Sequence, residues 1–116
     1  MKIIAVVDDE NVLTPLEYGE TIIQVDTETG EKKLYENPGF GSPYQGKERA
    51  MAGILTLKAD AILVKEGFLC PGSYHMSKGR MQYIPVEEEK FDQIEPKLNT
   101  ITSKAVTELD FGLYRE

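Results

Sequence analysis

Two short apolar runs predict buried strands. Lys2 is followed by the continuous, largely β-branched run Ile3–Val7, which ends at Asp8. A run without polar alternation is typical of a central strand covered on both faces of its sheet. The run Ala61–Val64 has the same character, and a predicted helix leads into it. Because helical crossovers join parallel strands, we expect the two runs to lie parallel in one sheet.

Alternating and turn-forming residues predict two further elements of that sheet. The segments Thr21–Asp26 and Lys32–Glu36 flank a short polar stretch that contains Gly30. Glycine readily takes the positive φ that tight hairpin turns require, so these segments predict a β-hairpin. The segment Met81–Pro85 predicts a short additional strand.

Helical periodicity begins at Lys47 and ends near Asp60. Four residues of this predicted helix fall on one face at helical spacing and form a stripe along it. The stripe consists of Met51, Ile54, Leu55 and Lys58. A second, short helix is predicted from Pro71, which suits a first helical turn, to about Lys78, with Gly79 as its C-cap. Turn-forming residues predict three loops between the elements. The loops are Asn11–Gly19, Asn37–Gly46 and Gly67–Gly72.

The C-terminal part of the chain predicts a helical extension from about residue 87. Phe91, Ile94 and Leu98 share one helical face, and a second stripe continues it to Leu109, with a break at Pro96. This apolar stripe is expected to pack either on its own sheet or, as the helix Glu95–Leu109, against a second copy of the chain in a homodimer. The elements together predict a single α/β domain over residues 1–116, with a mixed sheet, a hairpin and flanking helices.

Composition excludes several partners. The 116 residues include 20 acidic and 13 basic ones, which gives a formal net charge of −7. Nucleic acids and anionic membranes are bound largely through clustered Lys and Arg, so neither is an expected partner. A single cysteine, Cys70, cannot form an internal disulfide, and no signal-peptide pattern opens the sequence. These features predict a cytoplasmic protein.

Four segments in this order resemble the dinitrogenase iron–molybdenum cofactor biosynthesis family. They are Met1–Asp9, the hairpin Ile22–Pro38 with its terminal Asn-Pro, the helix–strand unit Arg49–Val64, and the glycine loop Glu66–Tyr74. The resemblance covers roughly the first 90 residues. It implies a ribonuclease H-like fold and a role as a carrier or maturation partner for an iron–sulfur or iron–molybdenum cluster.

The resemblance also points to residues. Many family members carry a His-Phe-Gly motif after the first strand, and Glu17 stands at the histidine's place here. The family's Gly-Gly-x-Gly-Pro loop corresponds to Glu66–Pro71, in which Cys70 is an insertion among flexible positions. Gly67 and Gly72 are expected to let backbone amides approach an anionic ligand.

Cys70 and His75 form the sharpest candidate pair. Thiolate and imidazole suit iron–sulfur clusters and soft metals. Cys70 lies in the loop and His75 about one turn into the following helix, so both are expected to face one hollow. Two ligands make an incomplete metal site, so the cluster's own ligands or a subunit interface would supply the rest. The alternative interpretation is a half-buried structural cysteine and a surface histidine.

Other polar and aromatic residues have simpler interpretations. Asp8, Asp9 and Glu10 follow the first strand, where a nuclease would hold magnesium, but a solvated turn is preferred. Tyr18, Phe40 and Tyr44 either line the mouth between the loops or cover them.

Three functions follow in order of preference. The first is a non-enzymatic carrier of a metal–sulfur cofactor, with Cys70 and His75 as metal ligands and Glu17, Gly67 and Gly72 completing the cofactor site. Its partners would be the cluster and the protein that donates or accepts it. The second is an interaction or regulatory module that has lost the cofactor, and the third is a metal-dependent nuclease.

Overall fold

The Ile3–Val7 run forms the centre of a five-stranded mixed sheet. A computed structural model describes residues 1–115. The sheet has the strand order β3-β2-β1-β4-β5. The strands are β1 (Lys2–Val7), β2 (Thr21–Asp26), β3 (Lys32–Glu36), β4 (Ala61–Val64) and β5 (Gln82–Pro85). The predicted α/β class and mixed sheet are confirmed, and the more specific ribonuclease H-like assignment stays a prediction.

Strand β1 is covered on both faces, as its sequence predicts. Residues Ile3–Val7 are each at most 3% exposed. Strand β2 pairs antiparallel with β1 and places Val25 opposite Ile3, whereas β4 pairs parallel with β1 and places Ala61 opposite Ile3. Because both faces are buried, the sequence of this strand does not alternate between apolar and polar residues.

The predicted hairpin joins β2 to β3. Gly30 has a φ of 78°, and its amide donates to the Asp26 carbonyl oxygen at 2.7 Å, closing the turn. Strand β3 is the outermost strand and pairs with β2 on one side. Its lysines Lys32 and Lys33 are exposed, and so is Leu34.

Two helices connect the parallel strands. Helix α1 (Gly46–Thr56) lies between β3 and β4, and helix α2 (Pro71–Ser77) lies between β4 and β5. The prediction that α1 extends to near Asp60 is wrong by about one turn, because Lys58 takes a φ of 53°. The Asp60 amide instead donates to the Lys2 carbonyl oxygen at 2.8 Å, which starts β4 beside β1.

The C-terminal stripe is buried against the domain's own core, although not as one helix. Helices α3 (Phe91–Ile94), α4 (Leu98–Ile101) and α5 (Phe111–Tyr114) are single turns, and 3₁₀ turns follow α3 and α4. Phe91, Ile94, Leu98, Ile101 and Leu109 are each at most 8% exposed. The predicted helix through Leu109 is wrong: Val106 and Tyr83 exchange two backbone hydrogen bonds of 2.8 Å, and that pairing requires extended chain.

The helices of residues 1–115 include none with the length and apolar character required to cross a membrane.

Candidate functional site

The three predicted loops meet at one edge of the sheet. Strands β1 and β4 run parallel, and β3 runs in the same direction because it is antiparallel to β2. Loops Asn11–Gly19, Asn37–Gly46 and Gly67–Gly72 therefore follow carboxyl ends that lie at the same edge. We call these three loops the three-loop surface. Open α/β sheets bind their ligands at this edge.

A buried asparagine joins the first two loops. The Asn37 side-chain amide donates to the carbonyl oxygens of Leu16 and Gly19, each at 2.7 Å. The Asn37 side-chain oxygen accepts from the Gly39 amide at 2.9 Å. Because Asn37 is only 7% exposed, these bonds satisfy backbone groups that water reaches poorly. Sequence reasoning noted the Asn-Pro pair at this place but not the bridging role of Asn37.

The first loop also contacts the third. The Leu16 amide donates to the Phe68 carbonyl oxygen at 3.2 Å. Leu16 and Phe68 are both buried, so the two loops share one apolar support. The three-loop surface is therefore one continuous backbone framework.

Glu17 lies where the first loop meets the start of α1. Its Oε2 is 3.1 Å from the Lys47 ammonium, and the Glu17 side chain is 21% exposed. A side chain on Gly46 would place its Cβ 2.6 Å from the Glu17 Cβ, so the close approach requires glycine there. The other carboxylate oxygen, Oε1, is buried and accepts no hydrogen bond from residues 1–115. A donor or cation reaches that oxygen only if the surrounding side chains move.

Cys70 is buried at the beginning of α2. It is the N-cap residue: its Sγ accepts from the Ser73 amide at 3.4 Å, and its amide donates to the Ser73 Oγ at 3.0 Å. This reciprocal pair is a capping box with sulfur in place of the usual oxygen. Cys70 is 3% exposed. In this arrangement the thiol stabilises the helix start.

His75 lies in a different environment from Cys70. Its ring is exposed and lies 5.8 Å, centroid to centroid, from the ring of Tyr74. Five residues of helix correspond to a rotation of about 140° around the helix axis, which turns the imidazole away from the buried sulfur. The structure therefore does not bring these two predicted ligands together in one hollow.

The two predicted glycines have separate roles. Gly67 takes a φ of 82° in the turn after β4, a conformation that side chains disfavour. Gly72 lies beside α1, where an added Cβ would be 2.7 Å from the Glu48 carboxylate. The carboxylate of Glu48 therefore lies across the first turn of α2.

Three aromatic residues of the first two loops are exposed. Tyr18 is 65%, Phe40 49% and Tyr44 75% exposed to solvent. They flank the framework built by Asn37 and the Glu17–Lys47 ion pair. Their exposure is compatible with both earlier interpretations, in which the rings line the mouth between the loops or cover the loops. Exposed aromatic residues of this kind are enriched at protein interfaces.

Asp8 belongs to a turn, as preferred from the sequence. Its Oδ1 accepts from the amides of Glu10 at 2.9 Å and Val12 at 3.0 Å. Within residues 1–115, no three His, Cys, Asp or Glu side chains are grouped closely enough to hold a metal ion.

Solved structures of the same architecture are known. The apo form of the orange protein from Desulfovibrio gigas superposes with a TM-score of 0.72 at 10% identity, over 92% of each chain. A protein from Methanocaldococcus jannaschii, provisionally assigned as a dinitrogenase, gives a TM-score of 0.62 at 17% identity, over 95% of this chain and 96% of that one. A Thermotoga protein of the DUF35 family, provisionally assigned as a NifB protein, gives 0.64 at 13% identity, over 94% and 96%.

These similarities concern the fold. No family model matches the sequence, and no curated protein matches it.

Proposed function

We propose that this protein is a small, non-enzymatic carrier that binds a metal–sulfur cluster as cargo at the three-loop surface. The observation that carries the proposal is that the three loops are joined at the carboxyl edge of the sheet. The fold is shared with the orange protein, whose structure is described as an apo form, and with two proteins whose names refer to a dinitrogenase and to a NifB protein. A carrier must release its cargo, so a single proposed protein ligand, the Cys70 thiolate, suits this role better than a full set of protein ligands would.

Cys70 is the proposed thiolate ligand, and its engagement requires a local opening. The sulfur would exchange its contacts with Ser73 for a bond to the cluster, which costs the first turn of α2 its cap. Glu17 would contribute its unpaired Oε1 atom as a hydrogen-bond acceptor, and because that atom is buried, cargo or partner reaches it only after the surrounding side chains move. His75 is exposed and is accessible to a donor or acceptor protein rather than to the Cys70 sulfur.

Anaerobic reconstitution with iron and sulfide tests the carrier. The native protein is expected to develop charge-transfer absorption, and Cys70→Ser is expected to remain colourless. Serine supplies a capping oxygen in place of the capping sulfur and removes the thiolate, so the loss of colour would not reflect unfolding. His75→Ala is the matched control and is expected to retain the colour. A colourless native protein, confirmed as folded by circular dichroism, would contradict the carrier.

A second function is favoured by a different observation. The exposed rings of Tyr18, Phe40 and Tyr44 and the buried state of Cys70 suit an interaction module that binds a protein through the same surface. Under this alternative, replacing the three rings with serine abolishes partner binding, whereas Cys70→Ser leaves it unchanged. The carrier predicts that Cys70→Ser is the more damaging change.

A further inference from the structure

A groove of about 1200 Å³ lies at the opposite edge of the sheet from the three-loop surface. It is bounded by the ends of α1 and α2 and by the residues that precede β4 and β5. Apolar side chains from these elements form part of its wall. They are Ile54, Leu55, Ala59 and Met81. Ligand pockets of this size class commonly combine such an apolar wall with a few polar groups.

Basic residues outnumber acidic ones around this groove, although the whole chain carries a net charge of −7. The basic residues are Lys58, Lys78 and Arg80, and the acidic residues are Asp60 and Glu108.

Both acidic groups are already engaged. The Asp60 carboxylate accepts from the Lys2 amide at 2.7 Å, and Glu108 pairs with Lys78 at 2.9 Å. Lys58 and Arg80, by contrast, are exposed and form no ion pair within the part of the chain that the structure describes. The groove therefore presents two uncommitted cations beside an apolar wall.

Lys58 occupies a backbone position that glycine would fill more easily. It follows the C-cap of α1 and has a φ of 53°. The equivalent residue after the C-cap of α2 is Gly79, with a φ of 85°. A side chain in this left-handed conformation is unfavourable, and glycine is the usual residue there. Among residues 1–115 three non-glycine residues have a positive φ, and Lys58 is the one of them that lies at the rim of the groove.

We propose that this groove binds a small organic anion with an apolar body. The apolar body would lie on the half-buried Leu55, beside the small exposed part of Met81, and the anionic group would pair with Lys58 and Arg80. The site is independent of the three-loop surface and of Cys70. A failure of the proposed carrier function would therefore leave this binding site untouched, and the reverse also holds.

The fluorescent probe 8-anilinonaphthalene-1-sulfonate, which joins an apolar ring system to a sulfonate, tests the site. The native protein is expected to bind one probe molecule, with amide NMR shifts concentrated at Ala59, Gly79 and Met81. The uncharged analogue N-phenyl-1-naphthylamine is expected to bind about tenfold more weakly, because it lacks the charge-assisted contacts.

Lys58→Gly separates binding from folding. It is expected to raise the melting temperature by relieving the backbone strain, and to weaken binding of the sulfonate probe by about tenfold. Arg80→Ala is expected to weaken it similarly, whereas Lys58→Arg and the remote control Lys104→Ala are expected to leave it nearly unchanged.

Three results would overturn the proposal. One is unchanged sulfonate affinity in Lys58→Gly, which would show that the charge is unused. Another is equal affinity for the neutral analogue, which would indicate a merely apolar surface. The last is a set of NMR shifts located away from the groove.

Discussion

The side-chain amide of Asn37 donates to the Leu16 carbonyl oxygen at 2.7 Å and thereby ties the loop after β3 to the loop after β1. Asn37→Ala removes this bond and the one to Gly19, and it leaves backbone carbonyl groups unsatisfied near the core. We expect the free energy of unfolding to fall by about 2–4 kcal/mol, measured by urea denaturation.

Asn99→Ala is the matched control, because Asn99 is exposed. It is expected to change stability by less than about 0.5 kcal/mol. Equal effects of the two substitutions would mean that Asn37 does not support the three-loop surface.

Burial of Ile101 predicts that the C-terminal segment is part of the core. Ile101 is 5% exposed, and Ile101→Ala is expected to cost about 2–4 kcal/mol because it leaves a cavity. The exposed neighbour Thr100 serves as the control through Thr100→Ala. Analytical ultracentrifugation should give the same mass for Ile101→Ala as for the native protein, since the stripe packs within one chain. A change of mass without a loss of stability would instead place Ile101 at an interface.

Because the phenol of Tyr83 is buried, we expect the free energy of unfolding to fall at alkaline pH. Burial raises the pKa of the Tyr83 phenol, and its hydroxyl lies 2.6 Å from the Ser77 hydroxyl. A raised pKa in the folded state means that the unfolded chain loses the proton first as pH rises. The contribution of Tyr83 is therefore complete below about pH 10 and is lost as pH rises through the folded pKa.

Unfolding experiments at several alkaline pH values check this dependence. The native protein should lose stability above about pH 10 more steeply than Tyr83→Phe, which cannot ionise at this position. Parallel pH profiles for the two proteins would contradict the assignment.

The ion pair of Glu88 with Lys97 is expected to lose its stabilising contribution at acidic pH. A hydrogen bond from Lys97 lowers the pKa of the Glu88 carboxyl to about 2. Its stabilising contribution is present above the ordinary glutamate pKa and is lost as pH falls through about 2. Carbon-13 NMR titration should give a midpoint near that value in the native protein. In Lys97→Met the midpoint should return towards about 4.3, and a midpoint that Lys97→Met does not move would assign the shift to another cause.

The strands were predictable from sequence because their signals are local. The run Ile3–Val7 is apolar without interruption, and Gly30 marks the hairpin turn, which requires a positive φ. Both features depend on the residues themselves rather than on distant partners.

The two incorrect boundaries have tertiary causes. Lys58 continues the helical stripe of α1, but the pairing of Asp60 with Lys2 requires the helix to end earlier. Val106 fits a helical face in the sequence, yet its backbone pairs with Tyr83 instead. Periodicity carries no information about which distant backbone groups remain unpaired.

The candidate site was predictable in its location but not in its contacts. The loops that follow parallel strands must meet, and they do. The orientation of Cys70 depends on Ser73, whose hydroxyl and amide both face the sulfur. The usual helix-cap patterns in a sequence do not include cysteine, so this role was not predicted. The bridging role of Asn37 likewise requires the two loops to be folded first.

The outer strand β3 determines how molecules of this protein behave beside one another. Its far side has backbone groups without a neighbouring strand, and such an edge recruits strands from other chains into aggregates. Lys32 and Lys33 place charged side chains along this edge, paired with Glu95 at 3.3 Å and with Glu31 at 3.6 Å. A second copy that adds a strand here must displace these ion pairs and remove the charges from water, so they oppose edge-to-edge polymerisation in a concentrated solution.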